Sequence, residues 1–165
     1  MIDNADEGAV EVSTRDYQPA DAAALAAVFR AAVLETGPAA YSAEQCAAWA
    51  ASADDAAAWA QRLQDNWVRV AVDEAGEIAG FGAIRMPGHI DLIFTAPEFN
   101  RQGVGSLILE DLLELAAAMG AKQLTTTASE LSRPFFEKHG FRVQESGAHE
   151  RCGQMLTCHA MVRGR

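Results

Sequence analysis

The stretch IDLIFTAPEFNRQGVGSLILEDLLELAAAM, residues 90–119, decides the reading of this chain. Ile90, Leu92, Ile93 and Phe94 are strand formers, and Pro97 cannot continue a hydrogen-bonded ladder, so a strand ending near Thr95 is expected. From Val104 onward, Ile108, Leu109, Leu112, Leu113, Ala116 and Met119 fall on one helical arc, with Glu110, Asp111 and Glu114 opposite. Gly120 then ends the helix. Between strand and helix lies Asn100-Arg101-Gln102-Gly103-Val104-Gly105-Ser106. A helix start leaves its first N–H groups unpaired and carries partial positive charge, which makes it a site for phosphate, and glycines let the backbone approach closely. A bare Gly-x-Gly more often makes only a tight turn. No Gly-Lys-Ser/Thr follows, and Ile108 stands where a dinucleotide fingerprint needs its third glycine, so neither of those nucleotide motifs is present.

Outward from this segment, the order of elements is legible. Val10 to Arg15 alternates as a first strand, preceded by an acidic tail over residues 1–9. Pro19-Ala20-Asp21 opens an Ala-rich helix to about Leu34, stopped by Gly37-Pro38. Ser42 and Gln45 form the pattern of a capping box ahead of a helix carrying Cys46 and Trp49, and Asp54 to Leu63, with Trp59, is a further helix. Trp67 to Val72 and Gly76 to Met86 read as a hairpin, in which Gly80 and Gly82 mark a bulge or a close backbone neighbour. After the glycine-loop helix come a strand over Lys122 to Ala128, a short helix over Leu131 to His139, and strands over Phe141 to Ser146 and Gln154 to Val162. The chain is therefore expected to be a single α/β domain over residues 10–165, a mixed and mostly antiparallel sheet of six or seven strands with helices on both faces.

Composition bounds the function. At 165 residues, half of them hydrophobic, the chain buries the core of one ordinary domain. A net charge of −10 opposes a nucleic-acid partner; it suits a cationic amine, and equally serves solubility alone. Three cysteines without Cys-x-x-Cys spacing fit a reducing compartment and no metal site. The polar, acidic start is unlike a signal peptide, and no apolar run is read as long enough to span a membrane. A cytoplasmic location is expected, and the oligomeric state, a homodimer included, is open.

Strand, proline, aromatic, then Asn100-Arg101-Gln102-Gly103-Val104-Gly105 and an amphipathic helix resembles motif A of the GNAT superfamily of acyl-CoA-dependent N-acetyltransferases, Q/R-x-x-G-x-G/A, with Asn100 departing from its first position. Ala128 to Phe141, ASELSRPFFEKHGF, is similar to that family's motif B. Two motifs in the right order are far more specific than either alone. The resemblance implies acetyl-CoA as co-substrate, no metal, and transfer to a primary amine, from a small molecule or a peptide, by direct attack in a ternary complex. It places pyrophosphate on the main-chain N–H groups of Arg101, Gln102, Gly103, Val104, Gly105 and Ser106. Arg101 is either a charge-assisted contact or a solvated side chain. Pantetheine and the thioester oxygen fall to the main chain of Ile93, Phe94 and Thr95, where one such oxyanion donor is worth roughly 3 kcal/mol of barrier. Ser129 occupies the position of a cofactor-contacting asparagine, or else caps the helix after it.

The amine must also lose a proton. A lysine-like amine is neutral only to about one part in a thousand near pH 7, a deficit of roughly 4 kcal/mol for base and desolvation to offset. Strand alternation puts Asp91 and His89 on the side of Ile93, so both are candidate bases. The bland readings are a structural ion pair for Asp91 and a strand-end residue for His89. Tyr41 and Trp49 are the candidate walls of the amine site, with Trp59 more simply core. Phe136 stands where the family carries a proton-donating tyrosine and cannot donate, which leaves a non-catalytic acyl-CoA-binding regulatory module as the rival to an enzyme.

Overall fold

The computed structural model describes residues 11–164, so the expected tail over residues 1–9 and a domain start at Val10 lie outside the described residues. Seven strands are present among those described: β1 (Val12–Asp16), β2 (Trp67–Asp73), β3 (Ile78–Arg85), β4 (His89–Thr95), β5 (Gln123–Ser129), β6 (Arg142–Arg151) and β7 (Gln154–Gly164). They form one sheet in the order β1-β2-β3-β4-β5-β7-β6, antiparallel except for β4 against β5. Helices α1 (Ala22–Thr36), α2 (Ala43–Ala50) and α3 (Ala56–Gln64) lie between β1 and β2; α4 (Val104–Ala118) joins β4 to β5, and α5 (Arg133–Lys138) joins β5 to β6. The expected mixed α/β sheet is the observed one.

Aromatic and glycine positions assign the two faces. Phe81 of β3 and Phe94 of β4 meet Trp59 of α3 and Phe29 of α1 in ring contacts of 4.8–6.1 Å. On the opposite face α4 lies so close to β3 that a Cβ at Gly82 would stand 2.5 Å from Ile108 Cγ2 and 2.9 Å from Leu112 Cδ1. Gly82 is thus the close backbone neighbour read from sequence, and a bulge between Ala71 and Val72 of β2 supplies the irregularity as well.

The capping box at α2 is complete, with Gln45 N–H donating to Ser42 Oγ at 3.1 Å and Ser42 N–H to Gln45 Oε1 at 2.8 Å. Gln45 Nε2 also donates to the Met155 carbonyl at 2.9 Å, which ties α2 to β7.

Three local expectations are corrected. The segment Pro19–Ala39, 21 residues with mean hydropathy 1.2, does reach membrane-spanning length and apolarity, contrary to the sequence reading. Its apolar side is nevertheless the core stripe Leu25, Val28, Phe29 and Val33, packed on the sheet, as in a core helix. Second, β6 runs on to Arg151 rather than stopping near Ser146, because its polar half is an exposed edge held by main-chain pairing to β7 and needs no apolar alternation. Third, the register of β4 against β3 jumps from Ala83↔Leu92 to Ile84↔Ile90, leaving Asp91 as an inserted residue. The bulge breaks the alternation that put Asp91 on the side of Ile93.

Filling the gap at Gly82 should be costly: Gly82→Val forces Ile108 and Leu112 apart, and overpacking of this kind destabilises by about 1–3 kcal/mol. Urea unfolding measures it, and a wild-type midpoint in the variant would contradict the contact.

Candidate active site

The site is built where β4 and β5 part. Their ladder holds only His89↔Thr125 and Ile90↔Thr126, with Thr126 Oγ1 donating to the Ile90 carbonyl at 2.9 Å. Beyond Ile90 the strands diverge, and the β5-facing main chain of Asp91 to Thr95 has no strand opposite it. Into that opening the chain brings three features.

One is the glycine loop. Gly103 is the N-cap of α4 at φ 80°, and Arg101 is also left-handed at φ 65°. Left-handed residues alternating with right-handed ones in such a turn aim main-chain N–H groups into a concavity that suits an anion. The first bond of the helix is Leu107 N–H to the Gly103 carbonyl at 3.0 Å, so Val104, Gly105 and Ser106 precede it with their N–H groups at the positive end of a four-turn helix. Gln102 turns its side chain back to the Glu98 carbonyl, at 3.4 Å. A Cβ at Gly105 would lie 3.3 Å from the Phe135 ring, so this glycine keeps a channel open.

From the loop runs a groove of about 370 Å³, bounded by Thr36 of α1, Ile93 to Thr95 of β4, Gly105, and Phe135 of α5. At its inner end Ser129 and Ser132 clasp each other. Their hydroxyls are 3.1 Å apart, Ser129 N–H donates to Ser132 Oγ at 3.0 Å, and Ser132 N–H to Ser129 Oγ at 3.1 Å. Ser129 is therefore both at the groove and at the entry to α5. Ser132 was not singled out from sequence, although it sits in the quoted motif, because nothing in its spacing shows that the turn folds its hydroxyl back onto Ser129.

The third feature is a smaller cavity of about 80 Å³ on the α1–α3 face, to which Tyr41, Trp49, Arg62, Asp91, Arg151 and Cys158 contribute. Trp49, Phe94 and Ser129 line both groove and cavity, so the two meet at those side chains. Tyr41 is fixed there by accepting Glu130 N–H at 2.8 Å and donating to the Thr157 carbonyl at 2.7 Å, and burial pushes its phenol pKa up. Trp59, read as core, is 2% exposed and bonds the Ala22 carbonyl through Nε1.

The two candidate bases are placed differently. Asp91 lines the cavity, with its carboxylate gripped by Arg62 at 2.8 and 3.1 Å, by Arg85 at 3.2 Å and by Asn66 at 3.3 Å. Burial alone would raise its pKa, but the bonds and charge of the two arginines outweigh it and hold the carboxyl below the ordinary carboxylate value. His89 sits at the closed end of the strand pair, its Nδ1 2.9 Å from Thr125 Oγ1, and lines neither groove nor cavity. Burial pushes its pKa down, against the pull of Asp91. Phe136 is 2% exposed and packs between Phe135 and Phe141. His159, for which the sequence showed no partner, lies between Ser146 Oγ at 2.7 Å and Glu130 Oε1 at 2.5 Å. A larger cavity of about 560 Å³, between α4 and Arg163, shares no lining residue with the groove or the smaller cavity and sets Glu110 and Glu114 against the single charge of Arg163.

Comparison with known proteins agrees with this geometry: the model of the acetyltransferase (GNAT) domain matches residues 38–161. The chain belongs to the GNAT family of N-acetyltransferases. It is 35% identical over 146 residues to the uncharacterized N-acetyltransferase YafP of Escherichia coli (strain K12), covering 88% of this chain and 91% of that protein. A GCN5-related N-acetyltransferase from Rhodopseudomonas palustris superposes with a TM-score of 0.90 at 34% identity, over 93% of this chain and 95% of the other. The PaiA N-acetyltransferase of Thermoplasma acidophilum, solved with coenzyme A, shares the fold at a TM-score of 0.76 and 17% identity, over 94% and 99%. As a GNAT N-acetyltransferase, this protein carries its glycine loop and its parted strands in one continuous site.

The Asp91 cluster gives a pH signature. A carboxyl whose folded pKa lies below its unfolded value of about 3.9 contributes stability that is full above that pH and lost as pH falls through the folded value. Urea titrations from neutral to acid pH should therefore show a shallower acid-side decline for Asp91→Asn than for the wild type. Identical declines would mean the cluster does not hold the charge.

Proposed function

We propose that this GNAT enzyme transfers the acetyl group of acetyl-CoA to a small primary amine by direct attack in a ternary complex. The observation that carries the reading is the shared wall: Trp49, Phe94 and Ser129 face both the groove and the smaller cavity, so an acyl end lying in one meets an amine lying in the other. The residues fit the co-substrate. Main-chain N–H groups of the Gly103–Ser106 helix start would hold pyrophosphate, with Arg101 and Gln102 in the preceding turn, and the groove past Gly105 would take the pantetheine arm. Along Ile93, Phe94 and Thr95, the main-chain groups that alternate away from β3 toward the opening would bind its amides and the thioester oxygen.

The ammonium form of the acceptor is disfavoured in a cavity walled by aromatic rings and flanked by Arg62 and Arg151, since burial and like charge both lower an amine pKa. Asp91 is the carboxylate on that cavity and takes the proton, directly or through water. Because its own pKa is depressed, it stays ionised through the working range, and the rate rises with pH as the amine loses its proton. The Ser129–Ser132 hydroxyl pair stands at the split where Phe136 offers no donor. It supplies the hydrogen bond to the departing thiolate, whose pKa of about 8.5 already makes it a tolerable leaving group.

Gly105→Leu should weaken acetyl-CoA binding by ~100-fold or more, about 2.7 kcal/mol, while the domain stays folded. Calorimetry reads this, and unchanged affinity would remove the loop from the site. Asp91→Asn should lower kcat by about 10²-fold or more, the scale of positioned acid–base catalysis, with acetyl-CoA affinity retained. Thiol release across an amine panel measures it. Tight acetyl-CoA binding with no turnover of any amine would favour the non-catalytic module.

A further inference from the structure

The overall charge of the protein and the charge at the acceptor cavity have opposite signs. The chain carries −10, yet the charged side chains on the cavity are Arg62, Arg151 and Asp91, and Arg85 closes on Asp91 from behind. In and behind the cavity there are thus three guanidinium groups and one carboxylate, which pairs with Arg62 and Arg85. The neighbouring acids are turned elsewhere: Glu130 is engaged by His159, and Glu150 meets Arg151 only through its main-chain carbonyl.

The donors are also incompletely used. Arg62 spends Nε and Nη2 on Asp91, and Arg151 spends Nη1 on the Glu150 carbonyl at 2.9 Å. Among the described residues, Nη1 of Arg62 and both Nε and Nη2 of Arg151 have no protein acceptor. A guanidinium presents a rigid fork matched to carboxylate and phosphate, and a fork left open at the edge of a small cavity is a receptor for such a group. Around it stand Tyr41, Trp49, Phe29 and Phe94, which suit an apolar flank. The volume of about 80 Å³ limits what fits beyond the amine to a few heavy atoms.

Resting on the acetyltransferase reading, we infer that the acceptor is a small amine carrying its own anionic group, of amino-acid or amino-phosphate type, with Arg151 and Arg62 as the residues that select it. The position of Asp91 explains the geometry. By neutralising Arg62 in part, it keeps the cavity from trapping the anion too tightly, and its carboxylate lines the same cavity. The arginines also act against an acceptor that arrives as a bare cation, so an unsubstituted alkylamine meets repulsion without compensation. The acidic surface, which from composition alone suits a cationic amine, is not what the cavity presents.

Matched acceptor pairs test this: L-alanine against ethylamine for a carboxylate, and O-phosphoethanolamine against ethanolamine for a phosphate. The anionic member of at least one pair should show kcat/KM tenfold or more above its partner without the anion, and the pair that does so identifies the anion. Arg151→Gln should collapse that ratio toward one through KM, with acetyl-CoA affinity unchanged, and Arg151→Lys should restore part of it. A ratio near or below one in both pairs for the wild-type enzyme overturns the inference, as does a ratio that Arg151→Gln leaves intact. Calorimetry with the same compounds on the CoA-loaded enzyme separates the two readings. Binding of an anionic member that depends on Arg151, without turnover, keeps the anion site and removes the catalytic reading; neither turnover nor binding overturns the inference itself.

Discussion

Everything at the centre of this molecule depends on two strands that begin to pair and then stop. The β4–β5 ladder holds two residue pairs, closed by the hydrogen bond from Thr126 Oγ1 to the Ile90 carbonyl. Past that point the backbone of β4 is bonded to β3 alone. A sheet interior with unpaired N–H and C=O groups is costly unless something else satisfies them, and a groove floored by such groups is a receptor for an extended, amide-bearing ligand. The glycine loop and the smaller cavity flank that one gap, on opposite faces of the same strand.

The separation of faces has a simple origin. Glycines at 80 and 82 let α4 settle against one side of β3, while Phe81 and Phe94 build the aromatic wall with Phe29, Trp49 and Trp59 on the other. The bulge at Asp91 then moves a carboxylate to the aromatic side, where Arg62 of α3 can reach it. Without that inserted residue, Asp91 would follow alternation. A one-residue irregularity in β4 thus decides which face of the sheet carries this carboxylate. It also couples α3 to the central strand through an ion pair that is largely shielded from solvent, with the Asp91 side chain 11% exposed.

Much of this was legible in the sequence, for identifiable reasons. Element order, the capping box at Ser42, the stop at Gly37-Pro38 and the loop at Gly103 and Gly105 are local signals: period, cap chemistry and glycine placement. Tyr41 and Trp49, read as walls of an amine site, line the smaller cavity, and Trp59, read as core, is buried. The parts that were not legible are those set by contacts between distant segments. Arg62 and Arg151 come from a helix and an edge strand nearly ninety residues apart, and no spacing announces that they converge. The clasp between Ser129 and Ser132 depends on the fold of one turn. The β4 bulge has no signature in IDLIFT, where alternation and insertion read alike. The length of β6 was underestimated because exposed main-chain pairing leaves no apolar pattern.

The central claim is that an anionic, amide-bearing ligand lies along the gap, from the helix start to the parted strand. The most direct measurement is a titration of the ¹⁵N-labelled protein with coenzyme A, followed through its main-chain amide resonances. The largest shifts are expected at Gly103 to Ser106 and at Ile93 to Thr95. Changes clustered instead at Glu110, Glu114 and Arg163, on the larger cavity beside α4, would contradict the account.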